Sequence, residues 1–384
     1  MRIAQERLSD REVREATCEI MRKCWSWETE GYRITTQMTR DVLSKAAVEN
    51  SSVEAVCGDL QGMVDSNTLR ESLLRALDQY SLREHEAEMN AALAGTVPVQ
   101  IGRRGVQIAI DWHDEPFYGK TPALLSATCR GMAKAGSTHF FRLASVYLID
   151  KTARFTLGVT YVLPEDEMVS VVARLLDRVQ VAGFEDTIAY LDKGFCTGPV
   201  LRLLQQRRQK AVLACPIRGK AGGTKALCKG RASYVTEYTF TDGTRVQAVM
   251  VATRVPDATG KRRRKWLLFV TVALNWSPQQ VYQRYRRRFG IECSYRILRQ
   301  CRASTSSRHP AFRFLLLGLA LLLQNIWSRL RWCVARIPQP GPRQIDPAIF
   351  PFSTFKRFLL RAVEYVYSVP TILDVYFSPE SVIY

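Results

Sequence analysis

Residues 285–299 read Tyr-Arg-Arg-Arg-Phe-Gly-Ile-Glu-Cys-Ser-Tyr-Arg-Ile-Leu-Arg. Tyr285, Arg288, Glu292 and Arg299 follow one another at steps of three, four and seven, which return side chains to one face of an α-helix. Glu292 is a lone carboxylate among Arg286, Arg287, Arg288, Arg296 and Arg299. That setting suits an acid that holds a metal while its cationic neighbours hold phosphates. Upstream, Ser277-Pro278 fits the N-cap and first-turn positions of the helix that carries Glu292.

The spacing resembles the Y-x2-R-x3-E-x6-K signature of bacterial and archaeal insertion-sequence transposases of the DDE, RNase H-like type, with Arg299 where the family has Lys. The resemblance implies that Glu292 is the third acid of a metal-binding triad, with two more acids upstream at strand ends. Two apolar runs meet that description. Residues 107–111 (Gln-Ile-Ala-Ile-Asp) stop at Asp111, and residues 187–192 (Thr-Ile-Ala-Tyr-Leu-Asp) stop at Asp192 before Lys-Gly-Phe. Either aspartate alone reads as a turn cap; together with the Tyr285/Arg288/Glu292 pattern, in that order, they read as a site.

Around these runs the chain is strongly basic. Its formal charge is +19 with 55 basic residues, Arg outnumbering Lys, which points to a polyanionic partner. A hydrophobic content of 47% argues for packed cores, and 384 residues for more than one. The most apolar stretch, Phe312 to Leu323, contains Arg313 and stops at Gln324-Asn325, short of the ~20 residues a membrane span needs. The N-terminus has no apolar leader core, so the expected location is cytoplasmic, in a prokaryote and associated with the nucleoid. No membrane partner is expected. Ten cysteines form no C-x2-C pair, and His85, His113, His139 and His309 are far apart, which argues against zinc.

The fold class expected is α/β (α+β): an RNase H-like catalytic core with a β-rich insertion, preceded by an all-α N-terminal domain. Residues 1–100 read as helical and DNA-binding. Within them Arg40–Ala47, Ser52–Leu60 and Asn67–Leu77 form short helices, Ser52 and Asn67 fit N-caps, and the third has a helix-turn-helix character with Thr68, Arg70 and Glu71 outward. Residues 101–217 read as the first part of the core: strands at 107–111, 140–149 and 154–163, helix 166–181, strand 187–192, helix 197–208 and strand 210–215. This order is similar to the RNase H fold, which implies that the first and fourth strands lie side by side and bring Asp111 to Asp192. Residues 218–265 read as a basic insertion with a hairpin around Thr241-Asp242-Gly243 and the run Lys261 to Lys265. Residues 266–336 return to the core with the Glu292 helix, and 337–384 form a tail without an assigned role.

The resemblance implies cut-and-paste DNA transposition: metal-dependent cleavage at the element's ends, then strand transfer into target DNA. Asp111, Asp192 and Glu292 would hold two Mg²⁺ ions, with Mn²⁺ able to substitute, and Asp111 would bridge them. Tyr285, Arg288 and Arg299 would contact phosphates near the element's end. Lys193 and the Arg262, Arg263 and Arg264 run are further candidates for the DNA backbone. His113 and Asp114 are read as loop-shaping residues, and Trp266 and Trp276 as core aromatics. The partners implied are double-stranded DNA, as terminal inverted repeats and target, and a second copy of the chain in a synaptic homodimer. Two other readings stay open. An RNase H-fold nuclease or resolvase is disfavoured by the Tyr285/Arg288 pair. An inactive or domesticated transposase acting only as a DNA-binding protein is disfavoured by the presence of all three acids.

Overall fold

Strands in this chain are built largely from apolar runs, and four of the described helices start at a serine N-cap. The computed structural model describes residues 7–29, 31–119, 122–149, 154–256, 260–340 and 343–369. Five helices come first: α1 (Asp10–Cys24), α2 (Thr36–Glu49), α3 (Val53–Asp59), α4 (Ser66–Leu77) and α5 (Leu82–Thr96). The core follows with β1 (Gln107–Phe117), the short α6 (Pro122–Leu125), β2 (Cys129–Lys134), β3 (Ser137–Ile149), β4 (Arg154–Val162) and α7 (Met168–Val181). It continues with β5 (Ile188–Leu191), α8 (Gly198–Gln206), β6 (Lys210–Cys215), β7 (Tyr234–Thr239), β8 (Arg245–Pro256) and β9 (Arg262–Val272). Next are α9 (Pro278–Tyr285), α10 (Phe289–Leu298), α11 (Pro310–Val334), the small pair β10 (Arg336–Ile337) and β11 (Gln344–Ile345), and α12 (Phe352–Tyr367).

Nine strands form one mixed sheet in the order β2-β3-β1-β5-β6-β9-β8-β7, with β4 also on β3. β3 runs antiparallel to β1, whereas β1, β5 and β6 are parallel. β1 and β5, the strands read from the sequence as first and fourth, are therefore neighbours, and their ladder ends at Ile110↔Leu191; β2, between them in the chain, was not expected. One expectation is corrected. β1 does not stop at Asp111 but runs to Phe117, because β3 offers a partner along its whole length, with Asp111 opposite Ser145 and Phe117 opposite His139. The polar Trp-His-Asp-Glu segment stays extended because cross-strand pairs use it: Arg142 forks onto Asp114 at 2.6 and 2.9 Å.

β7, β8 and β9 are not set apart from this sheet. β9 pairs with β6 from Ala211↔Val272 to Cys215↔Leu268, so the hairpin prolongs the core. Its turn uses Gly243 at φ 81°, and Arg202 on α8 holds Asp242 at 2.8 Å. Gly198, at the start of α8, makes room for that turn; a Cβ there would lie 1.6 Å from the Asp242 carboxylate.

The sheet separates two large cores. On one side Ile108, Ile110, Leu175, Leu201 and Leu204 pack beneath α7 and α8. On the other, α11 is the axis of a core that Val42, Leu43, Leu69, Leu73 and Leu93 of the N-terminal helices share with Phe355 and Leu359 of α12. The five N-terminal helices thus bury their apolar faces against the C-terminal ones. Gly318 allows the close approach of α5, since a Cβ would come within 2.3 Å of Met89. The outer edge of β4 is closed by side chains. Asn90 brackets Val159, Glu86 accepts from Tyr161 N, and Asn325 bonds both the N–H and the C=O of Thr156.

The sequence also reads a helix from Ala311 to Arg336, and α11 runs for 25 residues through Gln324-Asn325. By length and composition α11 could cross a bilayer, but 94% of its most apolar window is buried inside the protein. Ser52 caps α3 as expected, whereas Asp65, not Asn67, caps α4 by accepting from Asn67 N. Capping boxes start α1, α5 and α9 through Ser9, Ser81 and Ser277.

Candidate active site

Strand alternation decides which way the acids face. Ala109, Asp111 and His113 share one face of β1, opposite to Ile108, Ile110 and Trp112. Tyr190 and Asp192 share the corresponding face of β5, where Tyr190 packs with Tyr285 of α9. Both aspartates therefore look toward α9 and α10, just past the last parallel pair.

Arg288 brings them together. Its Nη1 donates to Asp111 Oδ2 at 3.0 Å, and its Nη2 lies 3.7 Å from Asp192 Oδ1. The guanidinium is 8% exposed, Asp111 16% and Asp192 36%, so the pair is reached from solvent on the Asp192 side. Asp111 also accepts from the Trp112 amide at 2.9 Å. Burial pushes the Asp111 carboxyl up and the negative charge of Asp192 adds to that; Arg288 and the amide only partly offset them. Two carboxylates on one guanidinium thus leave the site short of positive charge.

The segment that supplies Arg288 is not one continuous helix. α9 ends at Tyr285, residues 286–288 form a 3₁₀ turn, and α10 starts at Phe289. Tyr285 stays beside Arg288, whose guanidinium lies 5.8 Å from its ring centre, and points into the protein. Tyr285 is buried against Tyr190 and Phe269, and its hydroxyl donates to the Leu191 carbonyl at 3.0 Å. That bond fixes the end of β5 one residue before Asp192. Burial pushes the phenol well up, so it stays a neutral donor.

Glu292 lies on α10; its side chain is outside the described residues. Its backbone position is bracketed by Arg288, four residues before, and Tyr295, three after. Both neighbours reach Asp111, Arg288 at the carboxylate and Tyr295 at the backbone carbonyl, 3.2 Å away. α10 is further tied to α11 by Ser294 Oγ on Gln324 Oε1 at 3.1 Å. Among the described residues no cluster of three metal-binding side chains occurs.

The remaining sequence candidates spread outward. Lys193 is exposed beside Asp192, and Arg299 caps α10 with its side chain in solvent. Arg263 and Arg264 are exposed on β9, far along the hairpin; the Arg262 side chain is outside the described residues. His113 hydrogen-bonds Glu115, which Arg302 also holds; although burial opposes it, these two partners keep the Glu115 carboxyl below its usual range. Trp266 packs on Tyr234, and Trp276 lies under Arg284. Sequence reading missed Tyr295 and Ser145, whose hydroxyls are 2.7 Å apart beside Asp111. Helical spacing from Glu292 carried the signal for Tyr295.

A family model described as the transposase DDE domain matches residues 108–326, more than half of the chain. No curated protein matches. Among solved structures, the cryo-EM structure of the piggyBac transposase synaptic complex with hairpin DNA is similar at 13% identity and a TM-score of 0.58, covering 94% of this chain and 79% of that one. The Drosophila P element transposase strand transfer complex matches at 11% identity and a TM-score of 0.29, covering 91% and 70%. The first likeness is one of fold; the second is too low to argue from.

Proposed function

The chain belongs to the transposase DDE domain family and is a DNA transposase, and from that premise we propose that Asp111, Asp192 and Glu292 are its metal-holding acids. In this reading it cleaves DNA at the ends of a mobile element and joins the freed ends to target DNA. One observation supports the assignment above the others: Asp111 and Asp192, 81 residues apart, meet on a single buried guanidinium.

The donor set fits divalent ions, the general requirement of the family. Carboxylate oxygens are hard ligands, and burial keeps the Asp111 carboxyl above its usual range even with Arg288 in place. Asp111, Asp192 and Glu292 would hold Mg²⁺, with Mn²⁺ as a substitute. Such ions lower the pKa of bound water and neutralise charge on the attacking and leaving oxygens. Tyr285 holds the β5 rim and Arg288 holds the two acids in register. Lys193, exposed beside Asp192, and Arg299, exposed at the C-cap of α10, would take backbone phosphates; Arg262, Arg263 and Arg264 would do so farther along the hairpin. Thr68, Arg70 and Glu71, all exposed on α4, would read the terminal repeats. Joining two ends calls for two copies of the site, hence a dimer on DNA.

The test is release of a DNA segment flanked by the element's ends, by purified protein with Mg²⁺. Asp192→Asn should bind the same DNA and release none of it. Strand transfer unchanged in that variant would refute the site.

A further inference from the structure

We infer that Tyr295 is a positioning residue that sets the rotation of α10, and with it the placement of Glu292, against Asp111. The inference rests on the reading of those two acids as metal ligands. The hydroxyl of Tyr295 has one proton and two partners. The Asp111 carbonyl at 3.2 Å can only accept, so Tyr295 donates to it and accepts from Ser145 Oγ at 2.7 Å. Ser145 stands opposite Asp111 in the β1–β3 register, so one phenol ties both strands at the level of the first acid. The ring stacks on His113, the next residue of β1 on the same face, with centroids 5.3 Å apart and planes at 26°. His113 is in turn held by Glu115, and Glu115 by Arg302 in the segment that follows α10.

Tyr295 and position 292 are one turn apart in α10, so the angle that seats the phenol also sets the backbone at 292. Metal–oxygen distances tolerate only about 0.2 Å, which a small rotation of the helix exceeds at a carboxylate's end. Attachment of the helix does not depend on this hydroxyl, because Ser294 on Gln324 holds α10 to α11 independently. A phenylalanine at 295 would keep the ring on His113 and lose only the two polar contacts. The hydroxyl therefore sets position, while the ring supplies packing.

The experiment is a Mn²⁺ binding isotherm on the full chain without DNA, followed by electron paramagnetic resonance. Tyr295→Phe should weaken Mn²⁺ binding roughly tenfold, the scale at which outer partners of metal ligands act. Ser145→Ala should shift it in the same direction by less, and the double variant should fall short of the sum, because both changes break one constellation. Wild-type affinity in Tyr295→Phe overturns the inference; should that variant not fold, wild-type affinity in Ser145→Ala does so. Asp111→Asn separates the two readings. If it binds Mn²⁺ normally, the metal site itself is wrong. If it loses the ion while Tyr295→Phe does not, the positioning role alone fails.

Discussion

The acid rim of β1 and β5 and the basic end of the β8–β9 hairpin belong to one sheet yet treat charge in opposite ways. At the rim each charge is partly buried and held by named partners: Asp111 by Arg288 and Trp112, Arg288 by both aspartates, and the rim itself by Tyr285. At the hairpin Arg263, Arg264 and Lys265 stand in solvent, with Arg254 opposite Arg264 across the strands. Like charges face each other there, a tolerable arrangement in water and one that a phosphate backbone would relieve. The rim depends on the placement of individual groups, and the hairpin on their number.

Single substitutions test that contrast. At the rim, Asp111→Asn should reduce strand cleavage on the order of 10³-fold, the scale of removing one fixed electrostatic group from a transition state, as a cleavage time course would measure. Tyr285→Phe should remove a buried hydrogen bond worth about 1 kcal/mol. A melt should show that loss, together with a weaker hold on the β5 end. At the hairpin, Arg263→Ala with Arg264→Ala should leave the melt unchanged. It should reduce the slope of log affinity against log salt by roughly two, about one per lost phosphate contact. A slope equal to wild type would remove the hairpin from the DNA path.

The smallest expected effect is one of pH. The folded-state pKa of Asp111 is raised, so its favourable contribution is complete below the unfolded carboxylate range and is lost as pH rises through the folded value. Without metal, the stability difference between Asp111→Asn and wild type should therefore move toward the variant from pH 3 to pH 7. Glu115 has the opposite sign: its contribution is present above the unfolded value and lost as pH falls through the folded one. Denaturant titrations of Glu115→Gln should show its deficit shrinking with acid.

Much of the core was legible because its strands are short apolar runs with abrupt ends. The runs at 107–111 and 187–192 put Asp111 and Asp192 forward as candidates, and the resemblance in spacing implied Glu292 as the third. The length of β1 was not legible, since Trp112-His-Asp-Glu reads as a turn until β3 lies beside it. Nor was the break in the helix: three consecutive arginines give no local signal for the 3₁₀ turn at 286–288.

By itself the sequence determined the order of most strands and helices and the excess of positive charge, because periodicity, caps and composition are local properties. Only the tertiary structure decided that Arg288 clasps two aspartates, that β9 joins the core sheet, and that the N-terminal helices share a core with α11 and α12. An apolar face states that it must be covered, not by what. The covering partner is chosen by packing among segments hundreds of residues apart.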